Sequence, residues 1–244
     1  MPGDAGTSNK CSIIIPTYNE RDNIAILLWL IEEACSKASI AYEVIIVDDA
    51  SPDGTQQAVK QMQQVLGADK VLLRPRSAKL GLGTAYRHGL QYASGSWIIL
   101  MDADLSHHPK YIPTLFKVQQ QSSADIVTGT RYTAGGGVSG WNWKRKLTSR
   151  GANVLASTLL GLRVSDLTGA YRLYRRSVLE QLLHVVTSKG YAFQMEMIAR
   201  ASALGSNIAE VPIVFVDRVY GQSKLGRSEY TMFISGLLRL FFTL

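Results

Sequence analysis

Trp97-Ile98-Ile99-Leu100-Met101-Asp102-Ala103-Asp104 runs five apolar residues into two carboxylates separated by a single alanine. An apolar run this short, without polar alternation, suits a strand buried on both faces, and the acidic residues mark its end. The same design appears twice upstream. Glu43–Val47 runs into Asp48-Asp49, and Ser12–Ile15 is stopped by Pro16 and followed by Thr17-Tyr18-Asn19-Glu20. Val71–Leu73 and Asp125–Thr128 read as two further strands. Between them, Asn23–Lys37, Thr55–Leu66 and Gly83–Ala93 carry apolar residues at helical spacing, and Pro109–Gln121 adds a helix with proline at a favoured early position. Strands alternating with helices predict βαβ units around a buried parallel sheet, an α/β fold.

Beyond Thr130 the pattern loosens. Gly135-Gly136-Gly137 and Gly140 mark a loop, followed by Trp141, Trp143 and the basic run Lys144-Arg145-Lys146. Helices are expected near Thr148–Leu160, Ser177–His184 and Gln194–Leu204, with a strand near Ile208–Val216. Arg218–Ser228 is polar and punctuated by glycine, as in a mobile loop. The expected organisation is a disordered tail over residues 1–10, one domain over 11–228 and an apolar tail helix over 229–244.

Of 244 residues, 46% are hydrophobic and 18% charged, a globular composition. The net charge of +7 favours anionic partners. Neither an RNP-type aromatic pair nor finger spacing accompanies it, so nucleic acid is not expected. Cys11 and Cys35 are too few for a disulfide framework and read as thiols in a reducing compartment. The N-terminal stretch has no apolar segment of signal-peptide type, and no apolar run reaches the ~20 residues that span a bilayer. A protein facing the cytosol is expected.

Ligands of open α/β sheets bind beyond the carboxyl ends of the strands. Acidic groups after strands one, two and four would converge there and repel one another unless a cation or a hydrogen-bonded ligand offsets them. Carboxylates spaced as Asp102 and Asp104 can share a hard cation, Mg²⁺ or Mn²⁺, which also holds phosphates. The competing reading makes each acidic pair a helix cap. Three acidic strand ends together favour the ligand reading.

Ile13–Glu20, Val47-Asp48-Asp49 with Ser51-Pro52-Asp53-Gly54, and Asp102-Ala103-Asp104 resemble the inverting family 2 glycosyltransferases of GT-A fold, whose sheet is mixed and mostly parallel and flanked by helices. Asp102–His107, Gly129-Thr130-Arg131-Tyr132, Asp166-Leu167-Thr168-Gly169 and Arg218–Lys224 are similar, more closely, to the dolichol-phosphate mannosyltransferases. This resemblance assigns Pro16, Tyr18 and Glu20 to the nucleotide, with Val47 and Asp49 beside base and ribose. It makes Asp102, Ala103 and Asp104 the metal-binding triplet, with Asp102 and Asp104 as ligands. Arg131, Arg218 and Lys224 would meet the diphosphate and the acceptor phosphate. Asp104 and Arg131 become the catalytic candidates, and GDP-mannose and dolichyl phosphate the substrates. Ser106 stands where some relatives carry glutamine, leaving a third metal ligand open. His88, His107, His108 and His184 read as incidental.

An anionic phosphate oxygen needs no strong general base, so transfer reduces to in-line positioning and stabilisation of the leaving diphosphate. Three alternatives stand beside this: a UDP-glucose-dependent polyprenyl-phosphate glucosyltransferase, a non-catalytic nucleotide-sugar-binding subunit, and a phospho-receiver domain, which the length and the second acidic cluster disfavour. The resemblance also implies a peripheral place at the cytosolic face of the endoplasmic reticulum. There the apolar tail would dock on small membrane-anchoring subunits or on the membrane surface. Its removal is then expected to spare thermal stability; the alternative is a final helix packed on the domain's own core, whose removal would unfold the protein.

Overall fold

A computed structural model describes residues 10–188, 190, 192–218 and 227–243. The expected tail over 1–10 lies outside these apart from Lys10, which is pinned to Glu43 by a 2.6 Å ion pair and to Ser94.

Seven strands form the main sheet: β1 (Cys11–Thr17), β2 (Tyr42–Asp48), β3 (Val71–Pro75), β4 (Trp97–Leu100), β5 (Ile126–Thr130), β7 (Arg172–Arg175) and β8 (Ile208–Pro212). Two short strands, β6 (Gly137–Ser139) and β9 (Val214–Val216), pair separately and in parallel. The main order is β3-β2-β1-β4-β7-β5-β8, and only β7 runs antiparallel to its neighbours. The mixed, mostly parallel sheet expected above is therefore present.

Because the sheet is buried on both sides, each strand feeds two cores. Ile13, Ile15, Val44, Ile46 and Ile99 face one core. Helices α1 (Arg21–Lys37), α2 (Thr55–Leu66) and α4 (Ile112–Ser122) close it with Leu27, Ile31, Val59 and Leu115. Ile14, Ile45, Val47, Ile98 and Leu100 face the other core. It is closed by α3 (Leu82–Leu90), α5 (Trp143–Leu159), α6 (Arg176–Val185), α7 (Ala192–Ala203) and α8 (Arg227–Thr243). The helix foreseen from Pro109 opens as a 3₁₀ turn over Pro109–Tyr111, capped by His108, whose Nδ1 accepts from the Lys110 N–H, before α4 begins.

Three departures from expectation have physical causes. β7 was unforeseen because Arg172-Leu173-Tyr174-Arg175 has no apolar run. Arg172 is nonetheless fully buried, its guanidinium donating to the carbonyls of Leu167 and Gln194 and to the Thr128 hydroxyl. The strand expected over Ile208–Val216 is split at Ile213, where the chain leaves β5 and joins β6 from the glycine segment taken for loop. The tail helix is not independent of the domain. Phe233, Leu237 and Leu240 are buried in the core, and at Gly236 a Cβ would lie 2.6 Å from the Ala192 Cβ, so the backbone of α8 packs on the Ala192 methyl of α7. The expectation that its removal spares thermal stability is thereby corrected.

Candidate active site

Three loops leave the carboxyl ends of β1, β2 and β4 toward one cavity of about 510 Å³, a size suited to a small-molecule substrate. Asn19, Ala50 and Leu105, one in each loop, adopt left-handed backbone with φ of 60°, 54° and 63°. Such strain in L residues is held only where the surroundings over-determine the loop, and it gathers at functional sites.

The two acidic pairs divide their roles. Asp48 is sealed from solvent and organises its loop, accepting from the Thr17 hydroxyl at 2.8 Å, the Ser51 N–H at 3.0 Å and the Gln56 amide at 2.7 Å. Asp49 borders the cavity and accepts from Arg76 Nε at 2.6 Å, while Arg76 also donates to Thr84 at 2.8 Å. Val47 is not brought to the cavity. Its side chain is buried in the core under α3, where a Cβ on Gly89 would meet its Cγ2 at 3.1 Å, so only its backbone could serve the expected place beside base and ribose.

Beyond β4, Asp102 keeps a partly exposed carboxylate at the cavity, and its N–H donates to His107 Nδ1 at 3.2 Å. Asp104 is buried beside it. One carboxylate oxygen accepts from the Ser106 hydroxyl, and the other lies 2.6 Å from Arg218 Nε. Burial by itself would push the Asp104 carboxyl up; the Ser106 hydrogen bond, the neighbouring His107 and the positive Arg218 outweigh it and hold the group below the usual range. Arg218, expected to meet phosphates, is here the partner of an expected metal ligand.

Arg131 is fixed more tightly still. Its Nε and Nη2 donate to Asp166 at 2.6 and 2.7 Å in a buried fork, and Nη2 also reaches the Thr168 hydroxyl at 2.7 Å. The rings of Tyr132, Trp141 and Phe215 stand 5.1, 5.7 and 5.5 Å from the guanidinium. Asn153 of α5 ties this corner together by accepting from the Leu167 N–H and donating to Thr168.

Pro16, Tyr18, Glu20, Asp49, Asp102, Ala103, Asp104, Arg131 and Arg218 therefore meet at one cavity. Lys224 lies outside the described residues. Sequence reasoning missed Arg76, Lys79, Arg145, Asn153 and His107. Lys79 stands 5.0 Å from the Tyr18 ring, and Arg145 packs 3.9 Å from Trp141 while pairing with Asp217. The run Lys144-Arg145-Lys146 could have flagged Arg145, and the motif Asp102–His107 ends on His107. His107, taken as incidental, is buried against Tyr171 at the cavity wall. Cys11 and Cys35 are free and buried; burial pushes both thiols up, Cys35 to about 12, so neither serves as a nucleophile.

The cavity thus sets carboxylates at the strand ends against cations from other loops, an arrangement able to hold a nucleoside diphosphate. Among the described residues no cluster of three or more His, Cys, Asp or Glu side chains is poised for a metal. Asp102, partly exposed at the cavity, and the neighbouring Asp104 offer oxygen donors of the kind a hard divalent cation takes.

The sequence model of glycosyl transferase family 2 matches residues 12–183, well over half the chain. The chain belongs to glycosyl transferase family 2. The enzyme is 38% identical over 231 residues to polyprenol monophosphomannose synthase of Mycolicibacterium smegmatis, covering 93% of this chain and 85% of that one. It is 37% identical over 216 residues to undecaprenyl-phosphate mannosyltransferase of Micrococcus luteus, covering 87% and 86%. Among solved structures, the glycosyltransferase superposes on the mannosyltransferase PcManGT from Pyrobaculum calidifontis, in complex with GDP-Man and Mn²⁺. The TM-score is 0.67 at 20% identity, over 100% of this chain and 67% of that one. It superposes equally on glucosyl-3-phosphoglycerate synthase from Mycobacterium tuberculosis, with Mn²⁺, UDP and phosphoglyceric acid, with a TM-score of 0.68 at 20% identity over 95% and 78%. At such identity these likenesses establish the GT-A fold alone.

Proposed function

We propose that this glycosyltransferase moves mannose from GDP-mannose to a polyprenyl phosphate, specifically dolichyl phosphate, with inversion. The observation that carries the reading is the cavity itself, where Asp49, Asp102 and Asp104 at the strand ends face Lys79, Arg131, Arg145 and Arg218. Relatives named for mannosyl transfer to polyprenyl phosphates, similar over most of the chain, support the choice of acceptor.

A divalent cation, Mg²⁺ or Mn²⁺, held by Asp102 and Asp104 would neutralise charge on the departing diphosphate. The chain's own residues do the rest. Asp49, fixed by Arg76, accepts from ribose or base hydrogen-bond donors. Arg131, immobilised by Asp166 and three rings, presents a rigid positive wall. The acceptor phosphate attacks without a general base, so orientation and charge stabilisation carry the acceleration. We further propose a peripheral place at the cytosolic face of the endoplasmic reticulum, through membrane-anchoring subunits or the membrane surface. The product would then serve as mannosyl donor for N-glycosylation, GPI anchors and O-mannosylation.

Purified enzyme is expected to transfer radiolabelled mannose from GDP-mannose to dolichyl phosphate. GDP-mannose with Mn²⁺ should raise the melting temperature more than UDP-glucose with Mn²⁺. EDTA should abolish turnover, and added Mg²⁺ or Mn²⁺ should restore it. A larger shift with UDP-glucose, matched by glucosyl transfer, would replace the donor assignment; full activity in EDTA would remove the metal.

A further inference from the structure

Helix α5 presents two unlike faces. Its inner face seats Ala156 and Asn153 against the domain, and Ser149, Ala152 and Asn153 wall the cavity. Trp143, Leu147 and Val154 recur at intervals of four and seven residues and so form one line along the outer face. They are 68%, 65% and 58% exposed. Lys144 flanks this line on one side, and Lys146 and Arg150 on the other; all three are exposed. The seventeen residues of α5 hold four cations and no acid.

A helix facing water has no reason to display tryptophan, leucine and valine in line, and helices in globular proteins turn such a stripe inward. A helix facing an apolar protein partner would leave the surrounding cations without counter-charges. An anionic lipid surface satisfies both. Apolar side chains enter the boundary between headgroups and acyl chains, tryptophan settles at headgroup depth, and each Lys or Arg near the surface gains from the negative potential. A shallow groove beside α5, lined by Arg150 and Arg163 among others, adds positive charge on the same flank. Phe233 of α8 borders the cavity that α5 walls, and beyond it α8 exposes Leu238, Phe241 and Phe242. Both helices thus contribute residues to the cavity wall and carry exposed apolar side chains elsewhere on their length.

We infer that α5 docks the enzyme on an anionic membrane surface, with Trp143, Leu147 and Val154 entering the interface and Lys144, Lys146 and Arg150 pairing with lipid headgroups. The docking follows from α5 alone. Its purpose, holding the cavity wall against the layer that carries the acceptor, rests on the lipid-acceptor reading above.

The full chain is to be sedimented with phosphatidylcholine vesicles, with or without phosphatidylserine. Wild type is expected to pellet at least tenfold more strongly with the anionic vesicles, and less as salt is raised. Trp143→Ser with Leu147→Ser, and separately Lys144→Glu with Lys146→Glu, should each lower the partition about tenfold at unchanged melting temperature. Trp143→Phe leaves the fold untouched and provides a second readout: brominated lipid should quench wild-type tryptophan fluorescence and quench this variant much less. Wild type that stays in the supernatant with both vesicles assigns the face to a protein partner and overturns the proposal. Variants that pellet like wild type, or equal quenching in Trp143→Phe, also overturn it. Transfer to farnesyl phosphate, soluble without vesicles, is measured on the same proteins. Failure of wild type there strikes the acceptor reading and leaves the vesicle result to stand by itself.

Discussion

The carboxylate of Asp166, itself sealed from solvent, accepts both arms of the Arg131 fork and the N–H groups of Arg131 and Gly169. Burial alone would raise this carboxyl, but the charge of Arg131 and the bonds it donates overcome that and hold it below the usual range. A carboxylate depressed in the folded state stabilises fully above its unfolded pKa of about 3.9, and that contribution is lost as pH falls toward the folded value. Chemical denaturation between pH 6 and 2 is expected to show this loss in wild type and a shallower one in Asp166→Asn. At neutral pH the variant should be less stable by about 3–5 kcal/mol, since Arg131 is left buried without its counter-charge. Arg218→Ala should lower kcat/KM by a factor worth about 2 kcal/mol or more while the far-ultraviolet spectrum stays unchanged. Asp104→Ala should abolish turnover with the fold intact. The strand-end acids were legible in the sequence because one short segment carries both strand and ligand. The Asp166–Arg131 pair was legible only as two separate motifs, since the partners lie 35 residues apart and nothing local joins them.

Helix α8 divides its apolar residues between the core and the surface, and that division is measurable. Leu237 is buried and Leu238 is 51% exposed. Leu237→Ala should therefore cost about 2–4 kcal/mol in thermal or urea unfolding, and Leu238→Ala within about 0.5 kcal/mol of nothing. Equal effects would mean that the helix does not rest on α7 as described. From sequence, the tail looked apolar nearly all round, so no face could be chosen. Strands β1, β2 and β4 were readable because a strand covered on both sides must be apolar throughout. β7 was hidden because it opens on an arginine whose burial depends on carbonyls from Leu167 and Gln194, outside the strand. The β6–β9 pair was hidden because glycine-rich and three-residue segments carry no periodicity.

The domain as a unit should report ligand binding through its stability. GDP-mannose with Mn²⁺ at about 100 times its dissociation constant adds ~2.7 kcal/mol, which for a chain of this size raises the melting temperature by roughly 5–11 °C. Scanning calorimetry should show this shift, and EDTA should remove most of it. The parallel sheet and its two cores were foreseeable, because alternating strand and helix signals admit few architectures. The wall over the cavity was not, since the chain from Arg131 to Tyr171 crosses it without completing a strand of the main sheet. β4 lies between β1 and β7, and β7 is the later strand. On the ribosome, at ~5–20 residues per second, Leu100 emerges several seconds before Arg172. For that interval β4 offers an open row of backbone donors and acceptors, the template on which chains aggregate. β5 is finished first and can settle beside β4 in the place of β7. Slow codons before Arg172 should therefore lower soluble yield without changing a single amino acid, and faster ones should raise it.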